Sequence, residues 1–319
     1  ARGLAMSDWV TGFAPASIGN VAVGFDMLGL ALEGVGDRVD ARRTDGDGVT
    51  IAEVRGLDGA IHPYLSTDPK SNTASIAAQA LWDAQGASGG VELRVRKGVP
   101  LQSGMGSSAA SAVAAVVAVN ALLEQPLKPE KLLAYALIGE QFASGGLHAD
   151  NVAPSLLGGL VLCPQVLLPD VVHVPVPKGV SAVLVHPDLQ VNTAQARRGL
   201  KKSCTMQEWI AQQGFLAGFI VACAESDLDL LGRTLKDVII EPQRKQNVPC
   251  FDAVKDAAAK AGALGCSLSG SGPSMFALCA ENSARNIASA MEQACRTQGI
   301  ACQSWVSSLT APGAIIEAA

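Results

Sequence analysis

The sequence predicts an α+β chain of two domains, on three observations. Its 319 residues can supply two cores of ordinary size. Stretches that alternate with period two, as half-buried strands do, are interspersed with runs of helix formers. They lack the strict strand–helix alternation of a doubly wound sheet. Pro164, Pro169, Pro175 and Pro177 cluster in mid-chain, which places a domain boundary near 165–178. Residues 1–170 and 171–319 are therefore the expected domains.

Val10–Ala14 and Ala22–Val23 suit short extended pieces around the turn-rich Pro15–Asn20. Arg38–Arg43 and Val49–Val54 alternate roughly and suggest strands joined by the Asp45-Gly46-Asp47-Gly48 turn. Ser71 opens a helix over Asn72–Ala84. Val91–Arg96 sets Val, Leu and Val against Glu, Arg and Arg, a half-buried strand that ends at Lys97-Gly98. An Ala-rich helix follows Ser107-Ser108, and Lys128–Ser144 is another, with Pro129 near its first turn. Gly158-Gly159 introduces an apolar strand, Leu160–Cys163. Beyond the boundary, Ser181–His186 is a strand, and helices are expected over Thr193–Leu200, Met206–Glu225, Asp227–Ile239 and Phe251–Ala261. Cys266–Ser269 and Ser274–Cys279 are strands flanking Gly270-Ser271-Gly272-Pro273. A helix over Ser283–Thr297 and a strand near Ala301–Ser307 close the pattern, with no internal repeat.

Composition removes several classes of protein. Hydrophobic residues make up 49% and net charge is only −5, which excludes a disordered chain. The same charge argues against a nucleic-acid binder, because the longest basic cluster, Arg197-Arg198 with Lys201-Lys202, could neutralise few duplex phosphates. That cluster suits either one small anion or a solvated helix face. The 33 glycines and 4% aromatics mean that small residues carry much of the packing. None of the eight cysteines forms a CxxC pair, and with four histidines a metal cluster is not expected. Cys163, Cys266 and Cys279 lie in apolar stretches and suit core positions in a reducing, cytoplasmic compartment. Ala1–Trp9 lacks the basic and apolar regions of a signal peptide. The apolar run Ala109–Leu123 is interrupted by Ser111 and Asn120 and falls short of the ~18 residues that span a bilayer. No membrane partner is expected.

The strongest chemical signal is Gly104-Met105-Gly106-Ser107-Ser108-Ala109-Ala110. Two glycines let backbone N–H groups turn toward an anion, and the serines stand where a helix begins, at its positive dipole end. Ser108 could turn its hydroxyl to a magnesium ion beside a bound phosphate. The same letters also suit a plain glycine turn with serine caps before a buried helix. No Gly-Lys-[Ser/Thr] follows, so this is not a Walker loop, and no G-x-G-x-x-G follows a strand.

Pro100-x-x-x-Gly104-Met105-Gly106-Ser107-Ser108-Ala109-Ala110 resembles the signature loop of the GHMP small-molecule kinases, with Met105 where Leu is usual. Two further segments match in the same order, Pro15–Leu32 and Leu268–Ser274, so the resemblance spans nearly the whole chain. Within the family, Asn20, Phe25-Asp26 and Gly29, together with His148–Gly159, are most similar to the branch that phosphorylates homoserine. The Gly-Glu-His of galactokinases and the Lys of mevalonate kinases are missing from the first segment. The resemblance implies a domain like the second domain of ribosomal protein S5, followed by a ferredoxin-like domain, with ATP and L-homoserine meeting between them. It also implies Mg²⁺ as a cofactor and a homodimer.

Carried over residue by residue, the resemblance implies three sets of contacts. ATP would meet Asn72 on its adenine side, and the loop Pro100, Ser103, Gly104, Met105, Gly106, Ser107, Ser108 and Ala109 along its phosphates. Ser108 and Glu140 would hold the metal. Asn20 and Asp26 would take the ammonium of homoserine, Arg197 (after Thr193) and Arg244 its carboxylate, with Ser269 and Gly270 nearby. The charges make sense for a zwitterion, since an Arg fork on a carboxylate contributes about 1.5–3 kcal/mol. His148 would lie near the reacting hydroxyl. Asp150 falls where other members place a catalytic carboxylate, but Asn151 is favoured as the residue facing the hydroxyl. Asn cannot be a base, so transfer would then depend on proximity. Two rival readings are a non-catalytic amino-acid or nucleotide sensor on the same fold, and a kinase for another small alcohol.

Overall fold

The computed structural model describes residues 9–318. The expectation about Ala1–Trp9 therefore lies, apart from Trp9, outside the described residues.

In chain order the strands are β1 (Val10–Gly19), β2 (Leu28–Thr44), β3 (Gly48–Arg55), β4 (Gly90–Arg96), β5 (Leu160–Leu162) and β6 (Val172–His173). They continue as β7 (Val180–Pro187), β8 (Gly265–Leu268), β9 (Met275–Ala280), β10 (Cys302–Ser308) and β11 (Ile315–Glu317). The helices are α1 (Thr73–Ala84), α2 (Ser107–Asn120), α3 (Pro129–Ser144), α4 (Val152–Leu157) and α5 (Thr193–Arg198). After these come α6 (Met206–Glu225), α7 (Leu228–Thr234), α8 (Glu241–Arg244), α9 (Phe251–Lys260) and α10 (Ala284–Thr297).

One sheet has the order β11-β1-β2-β4-β3, with β5 paired to β2 and β6 to β5. The other has the order β10-β7-β9-β8 and is antiparallel throughout. Helices α1 and α2 cover the first sheet over a core that includes Trp82, Leu93 and Val113, and α3 packs on those two helices. Helix α2 is buried nearly all round, because its Ala and Val side chains let backbones approach. A Cβ on Gly12 of β1 would lie 2.3 Å from the Ala114 carbonyl oxygen, so only glycine admits α2 this close to the sheet. Helices α9 and α10 cover one face of the second sheet. Its other face shares a core with the first half, where Ile18, Leu30 and Leu32 meet Leu184, Phe219 and Phe276. That shared core holds the two halves together on either side of the site. No helix among the described residues is long and apolar enough to cross a membrane.

Several expectations need correction. The turn-rich Pro15–Asn20 is mostly strand: β1 runs from Val10 to Gly19, with only a register shift between Pro15 and Ala16. Ala22 and Val23 are not extended but lie in a turn, where Asn20, Val21 and Ala22 have φ of +67°, +43° and +57°. Strand β2 starts at Leu28, ten residues before the expected start, because Leu28–Leu32 is buried and so shows no alternation. The Asp45–Gly48 turn does not make a hairpin, since β4 lies between β2 and β3 and runs parallel to β3. The helix expected over Asp227–Ile239 ends at Thr234. Strand β11 returns the end of the chain to the first sheet, against β1.

Candidate active site

A cavity of about 420 Å³ opens between the two halves, walled by the loop before α2, the end of α3, the start of α4, α5 and the Gly270-Ser271 turn. Most of the residues expected at the site line it.

The loop before α2 is shaped for an anion. Gly104 and Gly106 have φ of +76° and +70°, a region that β-carbons disfavour. A Cβ on Gly106 would lie 2.4 Å from Ser17 Oγ, and one on Gly104 2.4 Å from the Ser269 carbonyl oxygen. The loop is thus held between β1 and the turn of the second half. Backbone and side chain fix it there: Ser17 N–H donates to Met105 O (3.0 Å), Ser269 Oγ to Gly104 O (2.7 Å) and Ser274 N–H to Ser103 O (3.1 Å). The plain-turn alternative requires serines that cap the helix, and they do not. Ser107 Oγ donates to Val99 O (2.9 Å) and Ser108 Oγ to Glu140 Oε2 (2.6 Å), while no side chain caps α2. The first amides of a 14-residue helix therefore lack side-chain acceptors beside the cavity, an arrangement that favours phosphate.

The other loop residues play different parts. Met105 and Ala109 are wholly buried and do not line the cavity, and the Met105 N–H donates to Ser103 Oγ (3.2 Å). Pro100 lines a neighbouring recess of about 240 Å³ rather than the main cavity. Asn72 lines the cavity as the N-cap of α1, with Oδ1 accepting from Ala74 N–H (3.0 Å) and Nδ2 donating to Ser66 O (2.9 Å). Ser269 is buried and acts as a tie to Gly104.

Glu140 and Ser108 meet at one wall. Glu140 is almost wholly buried, and burial pushes its carboxyl up to about 7 against the pull of the Ser108 hydroxyl. A buried carboxylate beside a hydroxyl suits a hard cation, which needs few protein ligands when phosphates supply the rest. No group of three or more His, Cys, Asp or Glu among the described residues could hold a metal unaided.

At the opposite end the charges of the sequence converge. Arg197 forks onto Asp26, with Nη1–Oδ2 at 2.8 Å and Nη2–Oδ1 at 2.7 Å. The Phe25 ring lies under both guanidiniums, 5.3 Å from Arg197 and 5.1 Å from Arg244. Arg244 donates to Gly270 O (3.0 Å), but its Nε is buried with no partner. Burial, and then the charge of Arg197, lowers the pKa of Arg244, whereas the bond to Asp26 raises that of Arg197. Asn20 organises the turn: Nδ2 donates to Gly270 O (3.1 Å), Oδ1 accepts from Asp26 N–H (2.9 Å) and its own N–H donates to Asp150 Oδ2 (3.2 Å). Three successive residues in left-handed backbone at this place are strain held by those bonds.

His148 Nδ1 is 3.6 Å from Asp26 Oδ2, and burial lowers the His148 pKa against the charge of Asp26. Burial, with the charge of Asp26, pushes the Asp150 carboxyl up to about 7. Asn151 accepts from Ser17 Oγ (2.9 Å) and stands beside Gly106. Thr193 Oγ1 is 3.2 Å from Ser271 Oγ. Sequence reasoning missed Lys97, which lines the cavity, and Asp37, which is buried behind it. Its one local signal was a Lys that closes a strand just ahead of the glycine loop.

Two family models match the chain: GHMP kinases N terminal domain over residues 72–159 and GHMP kinases C terminal over residues 219–297. The chain belongs to the GHMP kinase family, and its fold is the two-domain α+β fold expected from that resemblance. Among its relatives, the homoserine kinase of Xylella fastidiosa (strain M12) is 45% identical over 303 residues, 95% of this chain and 92% of that protein. The homoserine kinase of Chlorobaculum tepidum is 42% identical, covering 96% of this chain and 98% of that protein. A crystal structure of homoserine kinase from Cytophaga hutchinsonii superposes with a TM-score of 0.93 at 41% identity, over 99% of this chain and all of that one, 100%.

Proposed function

We propose that this chain transfers the γ-phosphoryl group of ATP to the hydroxyl of L-homoserine, giving O-phospho-L-homoserine. One observation carries the reading: a single cavity has the uncapped start of α2 at one end and Asp26, Arg197 and Arg244 at the other. Relatives that share 41–45% identity over most of the chain are homoserine kinases, which supports the same substrate.

In this reading the amides of Gly104 and Gly106–Ser108 and the α2 dipole hold the triphosphate. Glu140 and Ser108 would hold Mg²⁺ together with phosphate oxygens. When bound, the ion neutralises charge on the phosphates. Asp26 and Asn20 take the ammonium of homoserine; Arg197 and Arg244 take its carboxylate, with Thr193 and the Gly270 carbonyl at the pocket edge. The orphaned Arg244 Nε supports a ligand acceptor at this place. The homoserine oxygen then bonds to the γ-phosphorus as the bond to the β,γ-bridging oxygen breaks. Asn151, beside the phosphate loop, faces the hydroxyl with His148 nearby, whereas the Asp150 carboxylate is turned to the Asn20 backbone. Alignment does most of the work, and the hydroxyl proton leaves to the transferred phosphoryl group or to water.

Self-association belongs to the same reading, supported by Met206, Trp209, Ile210 and Val221, which α6 leaves exposed. Eight free thiols support a reducing, cytoplasmic setting. A coupled ADP-release assay with homoserine, mevalonate and galactose tests the activity, and homoserine should be turned over far faster than the others. Equal turnover of all three would overturn the substrate, and ATP binding without turnover would make the chain a sensor.

A further inference from the structure

We propose that Asp37, Lys97 and Ser111 form a buried clamp that sets the shape of the phosphate loop, so that Lys97 acts on the nucleotide through the loop rather than by touching it. This rests on the reading of that loop as the triphosphate site. Lys97 is the one unforeseen cation in the cavity wall, and a lysine beside a phosphate site would ordinarily be taken as a phosphate ligand. Its bonds say otherwise. An ammonium has three donors. Those of Lys97 go to the Asp37 carboxylate, to Ser107 O at 2.8 Å and to Ser111 Oγ at 2.8 Å.

Asp37 is equally committed. Its Oδ1 accepts from the N–H groups of Gly98 (2.8 Å) and Val99 (3.0 Å), and its Oδ2 from Ser111 Oγ (2.6 Å) as well as from Lys97. One carboxylate on β2 therefore fixes where the loop starts, at 98–99, and through Lys97 fixes where it ends, at 107–111. Ser107 Oγ, donating to Val99 O, closes the same ring. The pairing follows from strand register: the β2–β4 ladder ends with Arg38 opposite Arg96, which leaves Asp37 and Lys97 opposite one another beyond it. A buried ion pair is seldom more stable than apolar residues of the same volume, so stability alone does not account for it. Geometric control of the loop does. Lys97 and Asp37 are positioning residues.

The test is a double-mutant cycle of Lys97→Met and Asp37→Asn, with kcat, the KM for each substrate, ATP-analogue affinity and thermal midpoint recorded. A clamp predicts that each single variant raises KM for ATP about tenfold or more and lowers kcat by up to about a hundredfold, as loop misplacement does. KM for homoserine should stay within about twofold, and the double variant should cost no more than the worse single, since coupled residues do not add. If Lys97→Met raises KM for ATP while Asp37→Asn does not, or if the two costs multiply, Lys97 is a direct phosphate ligand and the proposal falls. If the midpoints fall while KM for ATP holds, the group is purely structural and the proposal falls as well. Should a single variant fail to fold, Ser111→Ala keeps both charges. It must still raise KM for ATP in a folded protein, and no rise refutes the clamp. If the wild type binds the analogue but does not phosphorylate homoserine, the substrate reading fails, while analogue affinities still decide the clamp.

Discussion

The guanidinium of Arg197 and the carboxylate of Asp26 are 171 residues apart in sequence and form a bidentate pair, 2.8 and 2.7 Å, at the mouth of the substrate end. Sequence reasoning assigned them to opposite ends of one zwitterion. Their mutual pairing means that these two charges already neutralise each other before substrate arrives, while Arg244 contacts only the Gly270 carbonyl. A bound homoserine would then share or replace this contact instead of meeting two bare charges there. A planar fork is what makes that exchange possible, because Arg can serve two oxygen partners along its edges.

Arg197→Lys should therefore raise KM for homoserine by about tenfold or more, from the loss of a charge-assisted bidentate contact of about 1.5–3 kcal/mol. KM for ATP should change little, since Arg197 stands at the far end of the cavity from α2. Steady-state kinetics with each substrate varied in turn would check this. An unchanged homoserine KM would remove Arg197 from the site.

What was legible in the sequence was local. The phosphate loop could be read because Gly104, Gly106, Ser107 and Ala109 specify backbone geometry within a few residues. That the helix start is uncapped was not legible, because the hydroxyls of Ser107 and Ser108 could have capped it and go instead to Val99 O and Glu140. Asp26, Arg197 and Arg244 were legible only through resemblance, because their convergence depends on chain crossings that no short window contains. Lys97 escaped notice because its meaning comes from Asp37, 60 residues earlier. The resemblance implies Ser269 beside the substrate, whereas its hydroxyl is bonded to Gly104 O. Strand β11 is three residues long and exists only by pairing with β1, which no local pattern announces.

Glu140 gives a metal prediction with a pH sign. Its carboxyl sits at about 7 without a cation, so it is half protonated near neutrality. A cation binds the ionised form and expels the proton. The apparent affinity for Mg²⁺ in the presence of ATP should then rise as pH goes from 6 to 8. Glu140→Gln should flatten that dependence and lower kcat by about a hundredfold or more, on the scale of losing one oriented electrostatic group. Magnesium titrations of initial rate at several pH values would show both effects. A metal response of the variant identical to that of the wild type would exclude Glu140 as a ligand.

Asp150 should leave its mark on stability. Its folded carboxyl lies at about 7, against an ordinary value of 3.8, mainly from burial. Between those values the folded state holds a proton that the unfolded state has released, so stability falls as pH rises through this window. Below it the contribution is fully present, and above pH 7 it is lost. Asp150→Asn removes the titration but keeps the shape. Relative to wild type, the variant should gain thermal stability steadily from pH 4 to pH 8, with little further change above. A difference in melting temperature that stays flat across that range would show that the Asp150 carboxyl ionises normally. The same variant bears on catalysis. With Asn151 facing the hydroxyl, Asp150→Asn should keep substantial turnover, whereas loss of nearly all activity with normal KM values would make Asp150 the base.

Gly106→Ala isolates the role of the loop backbone. At φ of +70° a side chain is strained, and the added methyl would lie 2.4 Å from Ser17 Oγ and 3.1 Å from Asn151 Oδ1. Relief requires the loop to move away from β1 and α4, which carries the first amides of α2 out of line with the phosphates. Left-handed backbone at a non-glycine residue costs about 1–2 kcal/mol, a loss that a domain of this size can survive. The variant should accordingly fold with a lowered melting temperature and still lose most of its ATP affinity. Titration with a non-hydrolysable ATP analogue, read beside circular dichroism, separates the two effects. Wild-type affinity in a folded Gly106→Ala protein would mean that the triphosphate does not lie on these amides.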